Sequence, residues 1–275
     1  MVIRKVAHSL SMPHQIWSGS ISFGLVTIPI KLYPATDDKS FSFNQLCPKG
    51  HRIKYKRWCP IEEKEISYSE IKKGYEIEKD NYVVIEKNDL EKIKLKTTKS
   101  IDIKEFVDSK EIDPIIIEKS YYVAPDTKRG NDKAYSLLVK ILSDTKKIAV
   151  GKIVLRDKEN IVSLRPYQRG MVMHVLRYLD EIRPTDDIPE ITEAAKQRAK
   201  LEPEEISLAK MLVDKFSSKH LDLSDYSDTY AQELEKLIEA KAKGKPIIAR
   251  SEPKQKATPD LLDALKASIE IKKSK

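Results

Sequence analysis

The sequence predicts a mainly β protein with α: a barrel or sandwich holding one embedded helix, followed by a helical arm and a short tail helix. Three observations carry this expectation. From about Trp17 to Arg183, short β-branched and aromatic runs are split by Gly, Pro and Asp. From Pro184 to Gly244 the apolar spacing changes to the helical period. After Gly244 a basic, proline-broken stretch leads into one narrow apolar stripe.

In the first zone, Ile21, Phe23 and Leu25 alternate with small or polar residues, and Val26, Ile28, Ile30 and Leu32 alternate on the opposite parity. The phase flip beside Gly24 predicts one strand carrying a bulge. Further strands are expected at Tyr82–Ile85, Ile112–Ile117, Ile148–Leu155 and Met171–Tyr178. Ala134, Leu137, Leu138, Ile141 and Leu142 repeat at helical spacing and predict the embedded helix.

In the second zone Pro203 suits a first helical position, with Glu204 and Glu205 near the positive helix end. Ile206, Ala209, Val213 and Phe216 then share a face. A second helix places Tyr230, Leu234, Leu237 and Ile238 on one side and stops at Gly244. Two such helices do not stand alone, so these stripes must pack on the barrel or on a partner.

The third zone begins with a linker (245–257). Between Lys241 and Lys256, six Lys or Arg face only Glu252, and Pro246 and Pro253 oppose regular structure. A tail segment (258–275) follows, with Thr258 as N-cap, Pro259 at the first helical position and Asp260 beside the dipole. Leu261, Leu262, Leu265 and Ile269 make its stripe, which reads as a docking peptide for another protein, or else as a cap folded back on the core.

The chain has 275 residues, a net charge of +8 and a pI near 9.1, a balance that suits a polyanionic partner. Two cysteines, Cys47 and Cys59, make no disulfide framework and fit a reducing compartment. No apolar run approaches a membrane span and no signal peptide is evident, so a soluble cytoplasmic protein is expected. Residues 1–11 read as a loose leader, with Met12 as an alternative start.

The most basic stretch is Lys49-Gly-His-Arg-Ile-Lys-Tyr-Lys-Arg57, which holds Lys49, Arg52, Lys54, Lys56 and Arg57 and no acid. As a strand it sets Arg52, Lys54 and Lys56 on one face, with Ile53 and Tyr55 packing inward from the other. Phosphate contact and a charged, solvated edge strand are equally compatible with this pattern. Cys47, His51 and Cys59 suggest zinc, but each half-motif (Cys47–Gly50, Cys59–Glu62) lacks its second thiol, which favours two reduced cysteines and no metal. No phosphate loop, nucleophile elbow or HExxH helix occurs. Asp186, Asp187, Glu111 and Asp113 read as turn or helix-entry acids, and His174 as a satisfied core histidine. No catalytic residue or cofactor is assigned. An end-processing nuclease or nucleotidyl transferase and a zinc-ribbon regulator are the competing functional classes.

Several blocks in order resemble one family. They are Trp17-Ser-Gly-Ser-Ile-Ser-Phe-Gly-Leu25, Ile28-Pro-Ile-Lys-Leu-Tyr33, Phe43-Asn-Gln-Leu46, Arg52-Ile-Lys-Tyr-Lys-Arg-Trp-Cys-Pro60 and Lys73-Gly-Tyr75, then Ile101-Asp-Ile103, Glu111-Ile-Asp-Pro114, Tyr121-Tyr122, Leu164-Arg-Pro-Tyr167 and Tyr178-Leu-Asp-Glu-Ile-Arg183. They resemble bacterial and archaeal Ku, the DNA-end binders of non-homologous end joining, over essentially Met12–Gly244. The resemblance implies a Ku-type barrel with an inserted bridge (12–183), paired with a second copy into a ring on double-stranded DNA ends. It implies a helical arm (184–244) exchanged between subunits through Phe216, Leu234, Leu237 and Ile238, and a nucleoid-associated, non-enzymatic role. Leu261, Leu262, Leu265 and Ile269 would recruit the end-joining DNA ligase of the ligase D type. Two departures stand out. Gly50 and Glu62 replace thiols that some members carry, and the lysine-rich tail of some bacterial members does not appear.

Overall fold

The computed structural model describes residues 13–38, 40–93, 99–130, 132–156, 158–244 and 261–271. The expected leader, the linker 245–257 and the helix start at Thr258, Pro259 and Asp260 lie outside them. The chain divides into two units, Met1–Arg183 and Pro184–Lys275.

The first unit is built on a closed barrel of strands β1 (Trp17–Phe23), β2 (Val26–Pro34), β7 (Ser100–Asp108), β8 (Ile117–Pro125), β9 (Lys147–Leu155), β10 (Lys158–Tyr167) and β11 (Gly170–Leu176). Their order around the barrel is β1-β2-β8-β11-β10-β9-β7, and β7 closes it by pairing parallel to β1. Alternation sends Ile21, Ile28, Ile30, Leu32, Ile101, Val162, Leu164 and Met173 into one core. Helix α2 (Asp132–Thr145) adds Tyr135, Leu138 and Leu142 to the same core. The Tyr135 hydroxyl donates to the Val123 carbonyl at 2.6 Å and accepts from the Met171 amide at 3.1 Å, which ties the helix to two strands. Gly151 is required where β9 crosses β7, since a Cβ there would sit 2.4 Å from the Asp102 carbonyl oxygen.

Three sequence expectations change here. The phase flip at Gly24 is a hairpin and not a bulge: Phe23 pairs with Val26, and Gly24 turns the chain at φ +56. A two-residue turn reverses the strand and flips parity just as a bulge does. Ile112–Ile117 is not a strand. Asp113 accepts from the Ile115 amide at 3.0 Å and Pro114 opens a 3₁₀ turn, so extended structure starts only at Ile117. The buried face of α2 is Tyr135, Leu138 and Leu142, which leaves Leu137 60% and Ile141 48% exposed.

Between β2 and β7 the chain leaves the barrel. It forms two small ribbons, β3 (Trp58–Cys59) with β4 (Lys64–Glu65) and β5 (Lys73–Glu78) with β6 (Asn81–Ile85), then helix α1 (Lys87–Lys92). In the second unit, α3 (Pro189–Gln197) follows a 3₁₀ turn holding Asp186 and Asp187. Helix α4 (Pro203–Phe216) begins where Glu205 accepts from the Glu202 amide at 2.9 Å. Helix α5 (Thr229–Ala242) is capped by Asp228, which accepts from the Ala231 amide, and ends at Gly244 with φ +67. Helix α6 (Leu261–Ile271) packs against α4. Among the described residues no helix is long and apolar enough to cross a membrane.

His174 of β11 is the satisfied histidine that its apolar setting predicts. Arg165 Nε donates to its Nε2 at 3.0 Å, so Nδ1 carries the proton and donates to Ser120 Oγ at 2.8 Å. Burial and then the Arg165 charge hold its pKa below the ordinary histidine value. An unfolded chain therefore takes up this proton first. The stability from the neutral ring is present above about pH 6.5 and is lost as pH falls below it toward the lower native value. Melting temperature measured from pH 7.5 to 5 should fall for the native chain and fall less for His174→Gln; parallel curves would contradict this.

Candidate nucleic-acid interface

The basic segment lies in the excursion between β2 and β7. It begins in a tight loop where the Gly50 amide donates to the Cys47 carbonyl at 2.8 Å and the Cys47 amide to the His51 carbonyl at 2.9 Å. Gly50 sits at φ +82, in the left-handed region that favours glycine. Arg52 bridges Leu46, and the Ile53 amide donates to the Gln45 carbonyl at 3.0 Å. Beyond Ile53 the chain forms no strand until β3 starts at Trp58. The expected strand over Lys49–Arg57 is thus a single bridge followed by irregular chain.

All five cations are exposed, but they are not equivalent. Lys56 Nζ lies 2.9 Å from Glu65, which raises its pKa by hydrogen bond and charge. The Arg57 guanidinium lies over the Tyr68 ring, 4.9 Å from its centroid. Among the described residues no carboxylate pairs with Lys49, Arg52 or Lys54. Acid-free sequence did not mean acid-free surroundings, because the β3–β4 turn brings Glu65 back onto Lys56.

Ile53 and Tyr55 do not pack inward as expected. They are 43% and 78% exposed, and the Tyr55 hydroxyl donates to Gln45 Oε1 on the same loop. Among the described residues no second layer covers that side. The same holds for β5 and β6, where Tyr75, Ile77, Tyr82, Val83 and Val84 are all exposed. Sequence reasoning missed this patch by counting Tyr82–Ile85 among the strands of the β zone. The signal was Tyr75-Glu76-Ile77-Glu78, an alternating strand one short turn before Tyr82.

Cys47 and His51 do come together, with Sγ 3.6 Å from Nδ1, and the His51 amide donates to the sulfur at 3.4 Å. Cys59 is held apart on β3, and both thiols are free. Among the described residues no group of three or more His, Cys, Asp or Glu is placed to hold a metal ion.

On the helical unit, Phe216, Leu237 and Ile238 are 60%, 37% and 41% exposed, and Leu234 is half-buried. Leu262, Leu265 and Ile269 of α6 are half-buried, while Leu261 is 55% exposed.

Residues 22–208 match the Ku70/Ku80 beta-barrel domain family. The Non-homologous end joining protein Ku of Archaeoglobus fulgidus is 43% identical over 264 residues, covering 94% of this chain and 98% of that protein. The proteins of the same name from Heliobacterium modesticaldum and Bacillus subtilis are each 38% identical, covering 93% and 94% of this chain and 91% and 82% of their own lengths. A barrel closed around one core, an excursion exposing cations and aromatics, and a family match over most of the sequence agree: the chain belongs to the Ku family.

Proposed function

We propose that this protein binds the ends of duplex DNA without regard to sequence, as a homodimeric ring, and brings the end-joining ligase to them. The observation that carries this reading is the excursion between β2 and β7. It holds three cations with no acid partner among the described residues, and a two-stranded ribbon whose Tyr75, Ile77, Tyr82, Val83 and Val84 are exposed. Phosphates are the partner for the first, and a second copy of the chain for the second. Similarity to proteins named for non-homologous end joining supports the same reading. Binding to phosphate by flexible cations carries no base information, which suits a factor that must accept any break.

In this reading residues 12–183 form the barrel and bridge, 184–244 a dimer-stabilising arm, 245–257 a basic linker, and 258–275 the ligase-docking segment. The setting is cytoplasmic and nucleoid-associated. The role requires no bond to be made or broken by the chain itself.

A closed ring must thread onto an end. Gel shifts should show strong binding to a linear duplex and weak binding to a relaxed, covalently closed circle of the same length. A circle that competes as well as the linear fragment would refute the ring.

The charge arrangement predicts unequal contributions. Lys49→Ala with Arg52→Ala and Lys54→Ala should weaken binding alike for all end sequences. The slope of log affinity against log salt should flatten by roughly 0.9 for each phosphate that the variant no longer neutralises. Lys56→Ala should do less, because Glu65 already neutralises that cation. Equal salt slopes for the triple variant and the native chain would place this segment away from DNA.

The exposed residues of α5 predict an obligate dimer. Leu237→Asp sets a charge into the proposed interface and should yield monomer or aggregate in sedimentation, with linear-DNA binding abolished. A stable DNA-binding monomer from this variant would contradict the assignment of the arm.

A further inference from the structure

The tail helix is not free of the rest of its unit. Leu261 and Leu265 of α6 share one cavity of about 530 Å³ with Leu201, Ile206, Ala209 and Val213 at and along α4. Lys266 Nζ lies 3.5 Å from Glu204, and Lys215 Nζ donates to the Ile269 carbonyl. That last interaction sets a cation at the C-terminal end of α6, where the helix dipole favours one. An 11-residue helix is marginal by itself in water. The α4 face is thus what gives α6 its helical form in the free chain.

The seat is incomplete. Val213 is 65% exposed, Leu261 55% and Leu201 48%, so the two helices cover one another only in part. The ion pair joins side chains 55% and 65% exposed, a setting in which such pairs contribute little. A surface so built holds the tail in place without fixing it there.

We infer that α4 is the resting seat of the tail helix, and that the α4-bound and partner-bound states of its leucine stripe exclude one another. This rests on the reading of α6 as the ligase-docking segment, because the same Leu261 and Leu265 serve both surfaces. The ligase then meets only the fraction of molecules whose tail has left α4, and its apparent affinity is lowered by that fraction. Any event that unseats α6 strengthens recruitment while the ligase-binding stripe itself stays the same.

Two substitutions on α4 leave the stripe intact. Ala209→Glu crowds the seat with a charge, and Glu204→Lys, the milder change, puts like charge against Lys266. In full-length protein, hydrogen–deuterium exchange over residues 261–271 should rise at least fivefold in Ala209→Glu and by a smaller factor in Glu204→Lys. Unchanged exchange in both variants, with their melting curves intact, would overturn the seat. Ala209→Glu should also bind the purified end-joining ligase at least fivefold more tightly than the native chain, matching a free peptide of residues 258–275. A peptide that binds well while the variant gains nothing would overturn mutual exclusion. A peptide that does not bind the ligase at all would overturn the docking reading, and the exchange measurement would still decide the seat.

Discussion

The structure depends on closure of the barrel by the parallel pairing of β1 with β7. Without that seam the sheet would end in two strands with unpaired amides and carbonyls. Closure forces inward residues of every strand into one space, so Ile21, Ile101, Leu164 and Met173 meet although they are far apart in sequence. Glycine stands at a tight approach on each side of β7. A Cβ at Gly19 would strike the Lys99 carbonyl oxygen and the Trp17 ring, and one at Gly151 the backbone of Asp102. Tyr135 fastens α2 to β8 and β11 because its buried hydroxyl donates to one strand and accepts from the other.

Because the barrel holds its own core, the rest of the chain is released from that duty. The excursion between β2 and β7 is anchored at both ends by barrel strands, and none of its described residues is fully buried. Its ribbons are as small as a sheet can be, and small ribbons are stable only against something else. The helical unit repeats this pattern: none of its described residues on α3, α4 or α5 is fully buried. Burial is concentrated in the barrel, and exposed apolar and charged side chains in the other parts. This division suits a protein proposed to close around a large ligand as a dimer.

The tail shows a different use of marginal packing. A stripe of leucines and a partly open seat on α4 are the features from which the exchange of the tail between two partners is proposed. Neither the docking peptide nor the folded-back cap of the sequence reading includes α4, on which the stripe lies within its own unit. On that proposal, packing and availability are set by one equilibrium and not by two separate surfaces.

The period of each zone is legible in the sequence, and with it the change from β to α near Pro184, Pro203 at a first helical position and the stop at Gly244. These are local properties, set by residues within a few positions of one another. The sequence also determined the family, because the matching blocks are contiguous words. Tertiary structure alone decided the rest. Whether a parity flip at Gly24 is a bulge or a hairpin depends on which strand lies alongside. Whether Tyr82–Ile85 joins the barrel or a free ribbon depends on where the chain leaves the sheet. Whether Lys56 is available depends on Glu65, which comes back across a turn. Each of these is a question of who lies next to whom, and composition and spacing carry no information about neighbours that are brought together only by folding.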